Sequence, residues 1–540
     1  MKDFSMLHLT GCRRTAARVL VLIVCLLVAA CGGGRSGNGQ VLVFGRNKDA
    51  VKLDPALVTD GNSLNVARVS MEGLTRFRLG SFEIEPSLAT SWKTGSAGRV
   101  WTFKLRHGVK FQDGTPFDAA AVKFNFDRWR LRDNPYHKGG DFSYYESQFG
   151  GFPGTIASVK ALAPDAVEFD LTKSIAPFLA DLAMPAFSIS SPTALKDEGE
   201  NYFTQPVGTG PYKVSEWVKD DHITLDAFAG YWGPKPKIQR VILRDIPDPA
   251  TGLLSLQHGD IDGWEYVRPN DLPTIHRDPN LVIYHQPANN TMYLAMNNTK
   301  SPFTDLRVRR AIDEAIDASS LVKNFYDPSA TVATEFLPVA VWPHGVNVTY
   351  PFDPADARKL LSAAGYPRGF STTLWYMTLA RPYLPEPQRV AEAIQADLRT
   401  VGISAKLEGF EWGQYLQRVQ NGEANMALFG WTGDNGDPDN YLYTILDKDS
   451  AIPPGAQNVC FWKDDEFHRL VTAAQTIVDR AKRAALYRQA LARFRDEAPC
   501  VPIAHTSPPI AFNRRVKGYV PNPDSAELFQ YMWLDDSSGK

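Results

Sequence analysis

The periodicity of hydrophobic and polar positions changes along the chain, and it predicts both strands and helices. Residues 100–105 (VWTFKL) mix apolar, aromatic and β-branched side chains, which predicts a strand. Asp118 stands where it can cap a helix whose apolar positions follow directly. Residues 353–364 (DPADARKLLSAA) begin with an Asp-Pro signal and stop before Gly365, which predicts another helix.

Helix and strand patterns alternate at short spacing in the second half of the chain. Residues 386–401 carry an apolar helical stripe, formed by Val390, Ile394 and Leu398. Residues 403–407 alternate as in a strand, a short helix is predicted around Tyr415, and a further apolar strand ends at Trp431. This alternation is typical of an α/β lobe, so the predicted fold class is α/β.

An acidic segment, residues 430–441 (GWTGDNGDPDNY), follows that last strand. Ligands of open α/β sheets bind beyond the carboxyl ends of strands, so the segment is a candidate site. A calcium loop is disfavoured, because counting from the first aspartate puts Gly436 and Pro438 where ligands belong. A solvated turn is the stronger alternative, since Asn-Gly and Asp-Pro form turns whatever the function. Trp431 and Tyr441 on either side favour a walled pocket.

The beginning of the chain predicts export and anchoring. Residues 1–30 are predicted to be a signal peptide, because their apolar stretch is too short to span a bilayer and ends in small residues. The tetrad VAAC resembles the lipobox of bacterial lipoproteins, so Cys31 is expected to carry lipid; the alternative is an ordinary signal with an incidental cysteine. Residues 31–40 are predicted to be this cysteine and a flexible tether. The protein is therefore expected on the periplasmic or cell-surface face of a membrane, and the sequence leaves open which membrane.

Composition narrows the class of protein. About 500 residues follow the tether, more than one hydrophobic core usually supports, so two or more lobes are expected. A hydrophobic fraction of 44% and a formal net charge of -2 are typical of a globular protein without an electrostatic footprint for nucleic acid. Cys460 and Cys500 could pair in an oxidising compartment, and the sequence leaves this open.

The sequence lacks the motifs of common metal sites and enzymes. No CxxC, HExxH or paired-histidine spacing appears, so neither a metal site nor a cofactor is predicted. There is no GxSxG elbow, no P-loop and no GxGxxG fingerprint between a strand and a helix. We therefore predict that the protein is not an enzyme. A remote alternative is a secreted hydrolase that uses two of the carboxylates of Asp434, Asp437 and Asp439.

Ordered motifs along nearly all of the mature chain resemble bacterial extracellular solute-binding protein family 5, the peptide-binding receptors of ABC transporters. The segment GWTGDNGDPDNY is similar to a loop of the dipeptide-binding proteins within this family. The other motifs are MEGLTRF, EPSLATSW, WTFKLRHGVKFQDGTPFDAAAVKFNFDR, PVGTGPYKV, GYWGPKP, LQHGDID and AHTSPPIAFNRRVKGYVPNP.

The resemblance implies a two-lobed periplasmic-binding-protein-like fold of type II, in the large peptide-binding class, with a hinge between the lobes. Lobe I is expected to comprise residues 41–290 and 505–540, and lobe II residues 291–504. The two crossings are expected near residues 291–298 and 501–506, both apolar runs able to serve as paired hinge strands. Closure around a ligand is what the membrane transporter would read.

The resemblance also implies a clamp for the two ends of a peptide. Asp434 of the WTGD tetrad would hold the α-ammonium, and Arg381 in ARPYLP would hold the α-carboxylate. Physical chemistry supports this pairing, because a zwitterion closed into a dry cleft needs an opposite charge at each end. Arginine suits a carboxylate because its planar fork donates two parallel hydrogen bonds.

Other ligand-binding candidates are less specific. Those of the second lobe are Trp431, Tyr383 and Gly433. The first-lobe candidates are Thr59, Asp60 and Gly61. Plain packing is the alternative for the two aromatic residues, and a surface turn is the alternative for the first-lobe residues. Trp264 and Tyr266 are weaker candidates for the pocket wall.

The resulting hypothesis is a substrate-binding lipoprotein of an ABC importer that captures dipeptides or short oligopeptides. Its expected partners are the peptide, the permease subunits and, through lipid, the membrane; no nucleic-acid partner is expected, and the protein is expected to be a monomer. Receptors of the same family for haem or glutathione are the alternatives. The sequence leaves open the side-chain selectivity and any chemosensory role.

Overall fold

The computed structural model describes residues 40–535. The predicted signal peptide, Cys31 and the tether up to residue 39 lie outside these described residues. Within the described range, no helix combines the length and apolar character needed to cross a bilayer. The described chain is a mixed α/β protein with several sheets, as the sequence predicts.

The largest sheet has seven strands and draws them from distant parts of the chain. In spatial order the strands are Leu281–His285, Pro509–Asn513, Gly263–Trp264, Val41–Arg46, Arg240–Asp245, His222–Ala227 and Tyr212–Val218. Val41–Arg46 is parallel to both neighbours, and the outer pairs are antiparallel. A strand near the end of the chain thus completes a sheet built from its first half.

A four-stranded antiparallel sheet accompanies the seven-stranded one. Its strands, in spatial order, are Ala89–Gly95, Val100–Leu105, Ala166–Leu171 and Ile156–Ala163. The alternation within Val100–Leu105 buries Trp101, Phe103 and Leu105, which confirms the predicted strand. Helix Ala119–Arg130 packs on this sheet and begins where expected, because the Asp118 carboxylate accepts a hydrogen bond from the Ala121 amide at 2.9 Å.

A six-stranded sheet belongs to the later part of the chain. Its strands, in spatial order, are Thr331–Val332, Cys500–His505, Asn290–Met296, Met426–Thr432, Ser371–Met377 and Ser404–Phe410. The last three strands are parallel neighbours, and the remaining pairs are antiparallel. Met426–Thr432 has five consecutive buried residues, as expected of a strand covered on both faces.

The helices predicted in this region are present and bury the expected faces. Pro354–Ala363 is capped by Asp353, and Pro387–Thr400 buries Val390, Ile394 and Leu398. Trp412–Gln420 follows the strand Ser404–Phe410. The other α-helices are Gly61–Ser70, Ser143–Phe149, Phe178–Asp181, Pro192–Asp197, Pro249–His258, Leu272–Arg277, Leu306–Ala315, Ala318–Phe325, Asp439–Leu442, Asp465–Gln475 and Arg480–Glu497.

The remaining strands of the described chain form two short antiparallel pairs. They are Thr75–Phe77 with Ile84–Pro86, and Val516–Lys517 with Trp533–Leu534. We call the part that carries the seven-stranded and four-stranded sheets the first lobe, and the part that carries the six-stranded sheet the second lobe. Each has its own hydrophobic core, because the large core clusters do not mix the sheets of the two parts.

The chain passes between the lobes at two neighbouring places. It enters the second lobe between Leu281–His285 and Asn290–Met296, and it returns between Cys500–His505 and Pro509–Asn513. The Asn290 side chain joins the two crossings, since its Nδ2 donates to the Thr506 carbonyl at 3.0 Å and its Oδ1 accepts from the Thr506 amide at 2.9 Å. The residue boundaries set for the lobes from the sequence stay a prediction.

Candidate functional site

A cleft of about 530 Å³ lies between the lobes and contains both clamp candidates. Arg381 and Asp434 line it from the second lobe, and Thr59 and Gly61 line it from the first. Its volume falls within the usual range of small-molecule sites, roughly 300–1,000 Å³. The structure therefore brings together residues that are far apart in the sequence around one cleft.

The two clamp candidates lie beyond the carboxyl ends of adjacent parallel strands. Asp434 follows Met426–Thr432, and Arg381 follows Ser371–Met377. The two strands pair directly, with Leu374 opposite Met426. Loops that follow parallel neighbours meet at one edge of a sheet, which is where ligands bind in open α/β folds. The sheet topology itself thus places an acid and a base on the same cleft.

The Asp434 carboxylate is oriented by hydrogen bonds from both lobes. Asn440 Nδ2 donates to Asp434 Oδ2 at 3.0 Å, and Asn440 Oδ1 accepts from the Asp434 amide at 3.0 Å. Trp431 Nε1 donates to the same Asn440 oxygen at 2.9 Å. From the first lobe, the Tyr144 hydroxyl donates to Asp434 Oδ1 at 2.9 Å. Protein groups alone therefore fix the position of the carboxylate.

Asp434 has no basic partner within 4 Å among residues 40–535. Burial raises the pKa of the Asp434 carboxyl, and the hydrogen bonds from Asn440 and Tyr144 lower it in part. Arg68, which lines the same cleft, also lowers this pKa, but its ion pair is with Asp524. The Asp434 carboxylate is thus held by neutral donors and has no ion-pair partner of its own. An ammonium group of a ligand would supply the missing charge.

Arg381 is the corresponding unmatched positive charge. Its guanidinium stacks on the Trp412 ring, with Cζ 3.6 Å from the ring centroid, and no carboxylate lies within 4 Å of it in the described part of the chain. Burial lowers its pKa, and Nε has no hydrogen-bond partner among the described residues. The backbone is held in a turn by reciprocal hydrogen bonds between Arg381 and Leu384. Its donors are thus available for a carboxylate.

The aromatic candidates lie in the cleft wall. Tyr383 is buried and packs on the strand Met426–Thr432, where a Cβ at Gly430 would come within 2.4 Å of the tyrosine ring. Trp431 also lines the cleft, so both residues combine packing with exposure to the cavity. Gly433 lines it too, and its amide and carbonyl both bond to Asn289.

The first-lobe candidates do not all face the cleft. Thr59 and Gly61 line it, whereas Asp60 is absent from its lining. Asp60 caps the helix Gly61–Ser70, since its Oδ1 accepts a hydrogen bond from the Ser63 amide at 2.9 Å. The structure therefore gives Asp60 a helix-capping role beside the cleft.

Several cleft residues have no counterpart among the sequence-based candidates. Tyr144 and Arg68 contribute from the first lobe, and the helix Trp412–Gln420 contributes Trp412 and Leu416. The spacing of Trp412 and Leu416 on one helical face is a signal that could have indicated a lining helix. No sequence pattern distinguishes Tyr144, because its partner Asp434 is 290 positions away.

The suggestion that Trp264 and Tyr266 line the pocket is wrong. Trp264 is fully buried in a core cluster of the first lobe, and Tyr266 packs against the same cluster. Neither residue lines the cleft. A tryptophan in a strand and a tyrosine just after it are compatible with either place, and here both pack with the apolar core.

Two cysteines and one cluster of two aspartates and a histidine lie outside the cleft. Cys460 and Cys500 are buried free thiols. Away from the cleft, one group brings three potential metal ligands within 4.8 Å of one another: Asp447, Asp449 and His468. His468 Nδ1 already bonds to Asp447 at 3.0 Å, so the geometry of this group is explained by hydrogen bonding within the protein.

The sequence is similar to those of known proteins along most of its length. Residues 83–452 match the model of bacterial extracellular solute-binding proteins, family 5, middle region. The chain is 36% identical to the dipeptide-binding protein of Escherichia coli K12 over 95% of this chain and 97% of that protein. It is 33% identical to heme-binding protein A of Haemophilus influenzae over 96% of this chain and 98% of that protein.

A solved structure shows the same fold. The periplasmic binding protein DppA of Helicobacter pylori, in complex with the peptide STSA, superimposes with a TM-score of 0.78 at 35% sequence identity. The match covers 92% of this chain and 98% of that one. The two-lobed architecture of periplasmic peptide-binding proteins therefore extends over essentially the whole described chain.

Proposed function

Because the chain belongs to the bacterial extracellular solute-binding proteins of family 5, we propose that it captures dipeptides or short oligopeptides and delivers them to the permease of an ABC importer. Asp434 holds the α-ammonium of the peptide, and Arg381 holds its α-carboxylate. Trp431, Tyr383, Gly433, Thr59 and Gly61 surround the ligand between these ends.

One observation carries the proposal: the cleft contains an unmatched carboxylate and an unmatched guanidinium on adjacent strand ends. Leaving either charge buried without a partner costs free energy, and a zwitterion neutralises both at once. A ligand with only one charged end would leave the other group uncompensated. The relatives named for dipeptides and the complex with the peptide STSA support the same ligand class.

We further propose that lipid at Cys31 anchors the protein and that it works as a monomer outside the cytoplasmic membrane. The tether of residues 31–40 would let the receptor move between ligand capture and the permease. Mass spectrometry of the membrane-extracted protein tests the anchor, since diacylglycerol on Cys31 adds mass that a Cys31→Ala variant lacks. Recovery of an unmodified N-terminus in the soluble fraction would contradict this part of the proposal.

Haem is the second candidate ligand, because one relative of nearly equal identity is named for it. The aromatic side chains of Tyr383, Trp412 and Trp431 line the cleft and could contact a flat ring. Glutathione is a third candidate, since it carries an ammonium and carboxylates and would use both clamp residues. Catalysis stays a remote alternative, which turnover of a bound peptide would reveal.

Calorimetric titration separates these candidates. The protein without its signal peptide is unfolded and refolded to remove carried-over ligand, then titrated with Ala-Ala, tri-alanine, tetra-alanine, glutathione and haem. We expect one-to-one binding of Ala-Ala, weaker binding as the peptide lengthens, and recovery of intact peptide. Binding of haem or glutathione without any peptide binding would overturn the assignment of Arg381 and Asp434 to peptide ends.

A further inference from the structure

The acidic segment contacts the first lobe at three consecutive residues. Asp434 accepts the hydrogen bond from Tyr144, Asn435 bonds to Asp181, and Gly436 packs against Phe82. All three partners belong to the first lobe, although the segment itself follows a strand of the second. The ligand-holding carboxylate is thus continuous with a contact that joins the lobes.

Asn435 makes a directional contact in a water-excluded place. Its Nδ2 donates to Asp181 Oδ1 at 2.8 Å, and the two residues are only 2% and 1% exposed. Its own Oδ1 accepts from the Asp437 amide at 3.0 Å, which fixes the orientation of the amide group. Burial raises the pKa of Asp181 well above its usual range, so the contact is compatible with a neutral acid.

Gly436 allows the backbone of the segment to approach the first lobe closely. A Cβ at this position would lie 2.1 Å from Cγ of Phe82, closer than any van der Waals contact. Its φ is +67°, a left-handed conformation that favours glycine. Phe82 is itself held by an edge-on contact with the Phe77 ring at 5.1 Å. A side chain at position 436 would therefore separate the lobes or displace Phe82.

The base of the segment is fixed to the second lobe. Arg483 donates two hydrogen bonds of 2.7 Å to the Asp437 carboxylate, and both residues are buried. Gln475 donates to Asp439 at 3.2 Å. Because these contacts anchor the segment to the helices of the second lobe, residues 434–436 move with that lobe. Opening the lobes would break all three contacts with the first lobe together.

We propose that residues 434–436 form a latch between the lobes, in which Asn435 and Gly436 are positioning residues that couple ligand held at Asp434 to closure. The inference rests on the proposed function only for the identity of the ligand. A ligand that neutralises Asp434 stabilises the segment in the place where Asn435 and Gly436 meet the first lobe. Weakening these two contacts lowers the closed population and, with it, the apparent affinity.

The test compares substitutions that differ only in the contact between the lobes. Gly436→Ala introduces both the clash with Phe82 and the strain of a positive φ. Gly365→Ala is the matched control, because Gly365 has φ +92° and a Cβ there meets nothing within 4 Å. Phe82→Ala removes the ring from the same contact without introducing a clash or a strained backbone.

Two readouts are measured for each protein. Small-angle X-ray scattering with and without Ala-Ala gives the radius of gyration, and calorimetry gives the affinity. We expect Gly436→Ala to bind Ala-Ala about tenfold more weakly or worse, in proportion to the lost closed population, and to stay expanded at saturating peptide. Gly365→Ala should behave as the wild type, and Phe82→Ala should lose affinity and compaction in the same direction as Gly436→Ala.

Other outcomes decide against the latch. Gly436→Ala that compacts and binds like the wild type overturns it, and so does Phe82→Ala with wild-type compaction and affinity. If circular dichroism shows that Gly436→Ala does not fold, Asn435→Ala decides instead, because it removes the bond to Asp181 without a clash. Unchanged compaction of folded Asn435→Ala would then reject the proposal.

Failure of the proposed function is distinguishable from failure of the latch. A wild-type protein that binds none of the peptides refutes the peptide assignment alone. The proteins without added peptide then decide the latch, because protein groups alone make the contacts of Asp434 and Asn435 with the first lobe. Ligand-free wild type should be more compact than Gly436→Ala, and equal radii would overturn the inference.

Discussion

At the scale of single residues, the cleft is distinguished by two charged side chains that have no ion-pair partner among the described residues. Several buried charges among residues 40–535 are paired, as Arg483 is with Asp437 and Arg128 is with Asp54. Arg381 and Asp434 have only neutral neighbours within 4 Å among residues 40–535. Burying such a charge without a partner costs free energy, and a ligand group of opposite charge would offset this cost.

Removing either charge should therefore affect binding far more than folding. With peptide bound, Arg381→Ala or Asp434→Ala leaves one ligand end buried and unpaired, which costs roughly 3 to 5 kcal/mol, about two to three and a half decades in affinity. Calorimetry with Ala-Ala measures the loss. Arg389→Ala is the matched control, because this exposed arginine only stacks on Phe325.

Peptides with blocked ends assign each charge to its partner. N-acetylated Ala-Ala lacks the α-ammonium, so it should bind the wild type more weakly than free Ala-Ala does. The Asp434→Ala variant should bind the two peptides with the same affinity. The C-terminal amide of Ala-Ala should likewise bind the wild type more weakly than free Ala-Ala does, and Arg381→Ala should bind the two with the same affinity. A folded variant that retains nearly normal dipeptide affinity would show that its residue does not hold a peptide end.

Acidification should weaken binding through Asp434. Burial raises the pKa of this carboxyl, whereas the ammonium of a ligand requires the ionised form. As pH falls through the raised pKa, Asp434 takes up a proton and loses its charge, so affinity declines by at most about tenfold per pH unit.

The decline should begin above the pH at which the peptide carboxyl itself titrates, about 3.3 to 3.7. Calorimetric titrations between neutral pH and pH 4 measure it. Asp434→Asn is the control, since its weaker binding should not vary over this range. A wild-type affinity that is constant down to pH 4 would refute the role of Asp434 as the titrating group.

At the scale of elements, local signals predict well and long-range partners do not. The strand at residues 100–105 has the predicted bounds, and the helix predicted at 353–364 is Pro354–Ala363. Caps and apolar periodicity act over a few residues, so the sequence contains them directly. The hydrogen bond from Tyr144 to Asp434 depends instead on two elements meeting after folding.

The buried pair that holds the acidic segment should contribute strongly to stability. Asp437→Ala leaves Arg483 buried without its carboxylate, which should lower the free energy of unfolding by about 3 to 5 kcal/mol. Urea unfolding followed by tryptophan fluorescence measures the change. Asp465→Ala is the control, because its pair with Lys448 is exposed to solvent and should contribute little to stability. Equal effects of the two substitutions would contradict the anchoring role of Asp437.

At the scale of the whole molecule, the family resemblance predicts the two-lobed architecture, and the structure supplies the arrangement within it. The expected hinge strands near residues 291–298 and 501–506 are indeed paired, yet both lie inside the second-lobe sheet. Their apolar sequences are explained by burial there, and the crossings fall at their ends. Hydrophobicity indicates a buried strand but does not show on which side of a crossing it lies.

The position of Asp60 illustrates the same difference between pattern and placement. The motif that contains it predicts a first-lobe contribution to the cleft, and Thr59 and Gly61 provide that contribution. Asp60 lies between them and serves the helix that follows. Adjacent residues of a loop face different directions, so a motif locates a site more accurately than it assigns each side chain.

Both proposed clamp residues follow adjacent strands of one sheet, and this arrangement has a consequence for how ligand length would be measured. Arg381 and Asp434 belong to the same lobe, so the separation of their charges is independent of the angle between the lobes. If they hold the peptide ends as proposed, the first lobe only covers a ligand whose end-to-end span the second lobe has already matched. A peptide of the wrong length would then be mismatched at the first encounter, before the two halves of the protein meet around it.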